Sequence, residues 1–146
     1  MPVSPRALFE FLSDLERHWL LADRFVEVLT LERVPGTGRA VGGTVRVRGP
    51  LGLARTARTR VVEAVPHVRM SGTAEVGRRT RARVTWTLTE QGRLTLVQLD
   101  AVVERAGRAD AVMLALGGRR WMRRRFAAIL ATLERRARAT AQPDSE

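Results

Sequence analysis

Apolar residues recur at intervals of three and four at both ends of the chain and at intervals of two across its middle. Ser4 stands before Pro5, and Leu8, Phe11, Leu12 and Leu15 follow at helical spacing, which predicts a short amphipathic helix over Ser4 to Asp14 with Ser4 as its cap. Leu15 to Leu21 predicts a second short helical stretch. Phe25 to Val34 reads as a strand, Val26 and Val28 alternating with Glu27, that runs into the turn Pro35-Gly36-Thr37-Gly38. Five further segments follow. Gly42 to Arg48 sets Val45 and Val47 against Arg46 and Arg48 before a turn at Gly49-Pro50-Leu51-Gly52, and Arg55 to Val65 sets Ala57, Thr59 and Val61 against Arg58 and Arg60. After Pro66, Val68 and Met70 oppose Arg69 and Ser71 in a short strand. Thr80 to Glu90 carries Ala82, Val84, Trp86 and Leu88 on one face, with Arg81, Arg83, Thr85 and Thr87 on the other. Leu94 to Val103 is its hairpin partner; the alternation slips between Leu96 and Val97, which predicts a bulge, and in one register Gln98 and Asp100 share the face of Leu94 and Leu96.

The C-terminal part returns to helical spacing. From a start near Asp110, Val112, Met113, Leu114 and Leu116 lead to Met122, Phe126, Ile129, Leu130, Leu133 and Ala137, one stripe of a long helix. Gly117 and Gly118 interrupt it at a cost of about 1 kcal/mol each relative to alanine, so a kink, a close approach or an imperfect start is expected there. Residues Ala139 to Glu146 read as a frayed tail, leaving one domain over residues 1–138. The order of elements is two short helices, an antiparallel run of about six strands and a long helix whose apolar stripe needs a sheet to lie on. This is an α+β chain in which a curved antiparallel sheet wraps round the C-terminal helix.

Composition narrows the chemistry. The 146 residues are 45% apolar and carry a formal net charge of +11, and there is no cysteine, no lysine and no tyrosine. Disulfides, cysteine nucleophiles, Schiff bases and tyrosine acids are therefore excluded, and two histidines are too few for a histidine-built metal site. No metal or cofactor is expected. The longest apolar run, Ala111 to Leu116, falls far short of the roughly 20 residues that cross a bilayer, and Glu10 and Asp14 interrupt the N-terminal segment where a signal peptide needs an apolar core, so a cytoplasmic location is expected. All 26 basic residues are arginine, spread from Arg6 to Arg138, the mark of a GC-biased genome. No aromatic residue lies between Arg33 and Arg83, and an arginine surface without interleaved stacking rings argues against nucleic acid as the partner.

The segment Ser4-Pro5-Arg6-Ala7-Leu8-Phe9-Glu10-Phe11-Leu12-Ser13-Asp14-Leu15-Glu16-Arg17-His18-Trp19 resembles the opening helix of the START-like, or Bet v 1-like, helix-grip superfamily (SRPBCC), specifically its polyketide cyclase/dehydrase and lipid-transport group. Gly43 to Arg48, Arg60 to Pro66 and Gly118 to Phe126 carry the resemblance through the rest of the chain. It departs from that group at the start, where only Met1-Pro2-Val3 precede the first helix in place of a full strand. An uncovered sheet edge is a route to pairing with a second copy, which opens the way to a homodimer.

The resemblance implies a small hydrophobic ligand, a lipid, quinone or polyketide-like molecule, held between the sheet and the C-terminal helix. Inward positions then supply the walls: Val45, Val47, Met70, Val84, Trp86 and Leu96 from strands, with Gln98 and Asp100 as polar neighbours, Met113, Leu116 and Trp121 from the helix, and Trp19 and Phe25 near an opening. An aromatase/cyclase-type enzyme is the alternative the same resemblance allows. It needs a base and an oxyanion partner in an apolar pocket; Asp100 with Gln98 is the best available pair, since alternation places Arg60 and Arg83 on the polar face and both His18 and His67 read as solvent-facing. A third reading takes Arg119, Arg120, Arg123, Arg124 and Arg125 as a basic docking surface for an acidic macromolecule such as RNA or the ribosome.

Overall fold

Ser4 adopts extended backbone and its hydroxyl accepts the N–H of Ala7 at 3.2 Å, while Pro5 opens α1 (Pro5–Ser13), so the predicted cap is in place. The chain is described here by a computed structural model covering residues 1–49 and 53–141. Leu8, Phe9 and Leu12 form the buried face of α1. Asp14 then does two jobs with one oxygen: Oδ1 accepts the N–H of Glu16 at 3.1 Å, capping α2 (Leu15–His18), and the N–H of Ala40 at 3.3 Å, tying the helix to the sheet. A single 3₁₀ turn, Trp19–Ala22, continues α2.

Six antiparallel strands follow, β1 (Val26–Arg33), β2 (Ala40–Arg48), β3 (Ala54–Val65), β4 (Arg69–Val76), β5 (Thr80–Gln91) and β6 (Leu94–Arg105), each paired with its sequence neighbours in one sheet. The turn between β1 and β2 falls at the predicted Pro35–Gly38 stretch, closed by the N–H of Val34 donating to the carbonyl of Arg39 at 2.9 Å. Beyond β2, the N–H of Gly49 reaches the carbonyl of Leu53 at 2.8 Å; the predicted turn residues Pro50 to Gly52 lie outside the described residues. β4 runs on to Val76, past the Ser71 where alternation was legible, because Gly72 and Ala74 occupy its inward positions and give no apolar signal.

Register corrects one expectation. β5 and β6 pair without interruption from Ala82 opposite Val103 to Gln91 opposite Leu94, with the irregularity at Arg81 rather than between Leu96 and Val97. Thr95, Val97 and Leu99 therefore face the helices. Leu96, Gln98 and Asp100 lie on the exposed face, with Leu96 45% accessible. Extra residues in β1 at Leu29 and in β3 at Val62 break the ladder locally, as bulges that bend a sheet do. On the outer face arginines meet glutamates: Arg60 with Glu32, Arg46 with Glu27, Arg69 with Glu63, and Arg81 and Arg83 both with Glu104.

Behind β6, Asp110 accepts hydrogen bonds from Arg55 and Thr80, and the N–H of Gly107 donates to the Thr80 hydroxyl, which pins α3 (Arg108–Met113) to the end of the sheet. The C-terminal helical stripe is broken where the glycines stand. Leu116 (φ −90°, ψ 19°) and Gly117 (φ 114°) leave helical space before α4 (Arg119–Ala141) begins. Gly117 supplies the positive φ, and at Gly118 a Cβ would stand 2.8 Å from the carbonyl oxygen of Met113, so the pair serves both a left-handed turn and a close backbone approach. α4 then lays Ile129, Leu133 and Ala137 into the core and continues to Ala141, through the start of the stretch read as a frayed tail; residues 142–146 lie outside the description.

At the opposite end, the N-terminal residues lie against β6. The Met1 amino group donates to the carbonyl of Thr95 and the N–H of Thr95 returns to the carbonyl of Met1, both at 2.8 Å, while the Thr95 hydroxyl reaches the carbonyl of Val3 at 2.6 Å. This short bridge stands where a first strand was missed in the sequence. From Leu96 onward β6 is paired only with β5 among the described residues.

Gly43, opposite the β1 bulge, is the tightest backbone crossing: a Cβ there would lie 2.2 Å from the carbonyl oxygen of Thr30. Gly43→Ala is expected to cost about 3 kcal/mol, since main chain on both strands must shift. Gly117→Ala, which meets no neighbour but keeps a positive φ, should cost about 1 to 2 kcal/mol. Urea unfolding of the two variants against the parent measures both.

Candidate functional site

A cavity of about 110 Å³ lies between the inner face of the sheet and the helices. Its origin is visible in the cross-strand rows. Val61, Gly72 and Val84 are neighbours across β3, β4 and β5, and Thr59 stands opposite Ala74, so the middle of the sheet presents a hydrogen and a methyl group where adjoining positions carry large side chains. One row further, Met70, Trp86 and Leu99 are neighbours and close that end. Phe126 and Ile129 of α4 and Leu15, His18 and Trp19 of the α2 region complete the lining. Arg60 also borders the cavity, but its side chain is 71% exposed and pairs with Glu32, so it contributes main chain there.

His18 overturns the solvent-facing assignment made from its polar neighbours. It follows buried Leu15 by one helical turn, so it shares Leu15's inward face while Glu16 and Arg17 point outward. That three-residue spacing was the signal available in the sequence. Nδ1 lies 3.1 Å from the carbonyl oxygen of Leu12, and a carbonyl only accepts, so Nδ1 carries the proton. Burial, partly offset by that bond, lowers the pKa of His18 to about 4. At neutral pH the imidazole is therefore uncharged, with a bare lone pair on Nε2. Its ring centroid is 5.2 Å from that of Trp19 and 5.3 Å from that of Trp86, edge-on to the latter. The indole N–H groups of Trp19 and Trp86 are buried with no acceptor among the described residues.

Of the residues anticipated as ligand contacts, the fold brings Trp19, Met70, Val84 and Trp86 to the cavity. Val45 is packed into the core at 1% exposure and Val47 packs against it, on strand β2 beyond the cavity's edge. Phe25 and Trp121 do not reach it; their rings flank the guanidinium of Arg125, whose Cζ lies 4.9 Å from the first centroid and 5.2 Å from the second. Leu116 is 81% exposed because the helix break throws its stripe out of phase, and Met113 stops short of the cavity at the same break. Leu96, Gln98 and Asp100 face outward, which removes the acid–base pair anticipated for a cyclase. His67 does sit in a turn, exposed and at φ 64°, touching Phe9 edge-on. Leu15, His18, Thr59, Val61, Gly72, Thr73, Ala74, Leu99, Phe126 and Ile129 enter the lining unanticipated. Arg119, Arg120, Arg123 and Arg124 are exposed on α4, and no helix among the described residues is long and apolar enough to cross a membrane.

The buried imidazole makes stability depend on pH. Because the folded pKa of about 4 lies below the ordinary value of 6.5, the unfolded chain binds the proton first as pH falls. His18's contribution is fully present above about pH 6.5 and is lost progressively down to pH 4, by up to about 3 kcal/mol. Urea midpoints measured across this window should fall for the parent, and His18→Gln should remove that part of the slope.

Against known proteins, the fold matches solved structures throughout its length. TTHA0849 from Thermus thermophilus superposes with a TM-score of 0.68 at 22% identity, covering 97% of this chain and 94% of that one. MLL2253 from Mesorhizobium loti gives 0.57 at 18% identity with 92% of each chain covered, and CV1439 from Chromobacterium violaceum 0.56 at 19% with 90% of each. No curated protein matches the chain. The family model described as polyketide cyclase / dehydrase and lipid transport matches residues 1–138, the span that contains the sheet, the cavity and all but the last residues of α4. With the helix-grip arrangement in place and that model matched over nearly its whole length, the chain belongs to the polyketide cyclase / dehydrase and lipid transport family.

Proposed function

We propose that this protein binds a small hydrophobic molecule in the cavity between β3–β6 and α4. The observation that carries the reading is the cavity itself: an apolar void kept open in the core by Gly72 and Ala74, where a filled core would place a branched side chain. Volume sets the scale of the occupant. Drug-sized ligands occupy roughly 300 to 1,000 Å³, while a dry apolar cavity of about 150 Å³ takes up benzene. At about 110 Å³ the present void is smaller than that, so it suits a short branched chain as it stands and a single ring once its walls give slightly. A lipid or an extended polyketide requires α4 to swing outward, and the non-helical residues Leu116 and Gly117 provide the hinge for that movement.

A cyclase-type activity is supported by one separate observation, the neutral imidazole of His18 at an apolar cavity wall. An imidazole with a free Nε2 removes a proton beside a carbonyl, leaving an enolate and an imidazolium. Deuterium uptake at the α-carbon of cyclohexanone, lost in His18→Gln, tests that reading; uptake at the buffer rate by both proteins refutes it.

The binding reading is tested by native mass spectrometry of the purified protein followed by denaturing extraction of whatever co-purifies. A one-ring or short-chain apolar compound is expected at substantial occupancy. Ala74→Leu, which fills the void from β4, should reduce occupancy at least about tenfold while the protein stays folded. Equal occupancy in the variant would show that the molecule sits elsewhere.

A further inference from the structure

Charge and exposed apolar surface coincide where the C-terminal helices break. From Ala111 to Leu133 the chain carries five arginines and no acidic residue, and Asp110 just before that stretch is committed to Arg55 and Thr80. Arg119, Arg120, Arg123 and Arg124 are exposed and have no carboxylate partner among the described residues, in contrast to the paired arginines of the sheet's outer face. At about 100° per residue the four fall within an arc of about 140°, so they make one face of α4. Arg119 with Arg123 and Arg120 with Arg124 stand four residues apart, the spacing at which like charges repel on a helix. The face is therefore unfavourable until an anionic surface meets it.

Next to these cations the break leaves apolar side chains in water. Leu116 stands at the non-helical step, Val112 one turn earlier is 57% exposed, and the 3₁₀ turn Trp19–Ala22, which packs against α4, adds exposed Leu20. A lone exposed leucine needs no explanation. Two apolar side chains and four unpaired arginines within residues 112–124 are the makings of a segment that lies in a membrane interface, where apolar groups enter the acyl boundary and cations meet anionic headgroups. Nucleic acid fits this face less well: phosphates satisfy the arginines but leave Val112 and Leu116 in water, and the face carries no exposed aromatic ring among the described residues on which a base could stack. We propose that the helix break and the first two turns of α4 dock on an anionic lipid bilayer, with Val112 and Leu116 entering the interface and Arg119, Arg120, Arg123 and Arg124 meeting the headgroup phosphates. The docking surface includes Leu116 and Gly117, which sets the bilayer against the part of the chain that hinges α4. It does not depend on what fills the cavity.

Flotation of the full chain with vesicles of phosphatidylcholine and phosphatidylglycerol in about equal parts should carry the protein with the lipid, and vesicles of phosphatidylcholine alone should not. Leu116→Ser should weaken the partition about tenfold, and Arg120→Gln combined with Arg124→Gln about thirtyfold, through the loss of one inserted side chain and of two charges. These positions are exposed, and unchanged circular dichroism and urea midpoints check that the variants fold. Arg78→Gln combined with Arg79→Gln, exposed on the turn between β4 and β5, removes the same charge elsewhere and should leave the partition unchanged. Because the chain has no cysteine, Leu116→Cys and Leu96→Cys each accept a single environment-sensitive dye. On anionic vesicles its emission should move to the blue at position 116 and stay in place at position 96 on the outer face. If the Arg78 and Arg79 variant weakens the partition as much as the α4 variant, overall charge holds the protein and the docking face is refuted. If Leu116→Ser partitions like the parent and the dye at 116 stays in water, nothing is inserted and the proposal falls. Failure to float with anionic vesicles also overturns it; single-stranded RNA binding that weakens in the α4 variant then assigns the face to nucleic acid. None of these results touches the cavity reading, which co-purification decides.

Discussion

Covering a broad sheet with few helices is the constraint on which this structure depends. Six strands spaced about 4.8 Å apart span about 24 Å, and a helix with its side chains covers only about 10 to 12 Å of that width. α4 and the two short N-terminal helices must therefore share the inner face, and their meeting line lies over the middle strands. Large side chains there would fill the gap. Gly72 and Ala74 instead stand at that line, and the gap persists as a cavity bordered by β3 to β6, by α4, and by α2 with the turn that continues it.

The same economy of cover explains His18. α2 has four residues, too few to bury an apolar stripe, and it is held in place by Asp14, which caps it and bonds the Ala40 N–H. Holding so short a helix against the sheet carries a polar ring inward along with Leu15. The Leu12 carbonyl satisfies one ring nitrogen, and burial keeps the ring neutral. A buried neutral imidazole beside two tryptophans is costly at acid pH and harmless at neutral pH, and its remaining lone pair is an acceptor left free of any partner among the described residues.

The arginine excess separates into two populations once the sheet is assembled. On the outer face, cross-strand and diagonal neighbours bring Arg46, Arg60, Arg69, Arg81 and Arg83 beside glutamates, exposed pairs that each contribute little. On α4, Arg119, Arg120, Arg123 and Arg124 are exposed, Arg138 pairs with Glu134, and the guanidinium of Arg125 lies over the rings of Phe25 and Trp121 and links the helix to the start of β1. Two aromatic residues that looked like a pocket rim in the sequence are thereby committed to anchoring the helix.

Local periodicity was enough to determine the elements: the capped first helix, the strand run, the glycine interruption and the C-terminal stripe are all encoded within a few residues of where they occur, because capping, alternation and helical spacing are short-range effects. Composition determined what chemistry was absent. Which face of β6 turns inward was decided only by its pairing with β5, since a one-residue slip inverts every side chain and Leu94, Leu96 and Val102 mimic an inward set. The cavity was likewise invisible in the sequence, because it is made of residues that are small or missing a side chain, aligned across three strands by register. Trp19, Met70, Val84 and Trp86 were legible as apolar and inward; that they surround a void beside a neutral histidine is a property of the assembled tertiary structure, where long-range pairing places residues far apart in the chain within one shell of contact.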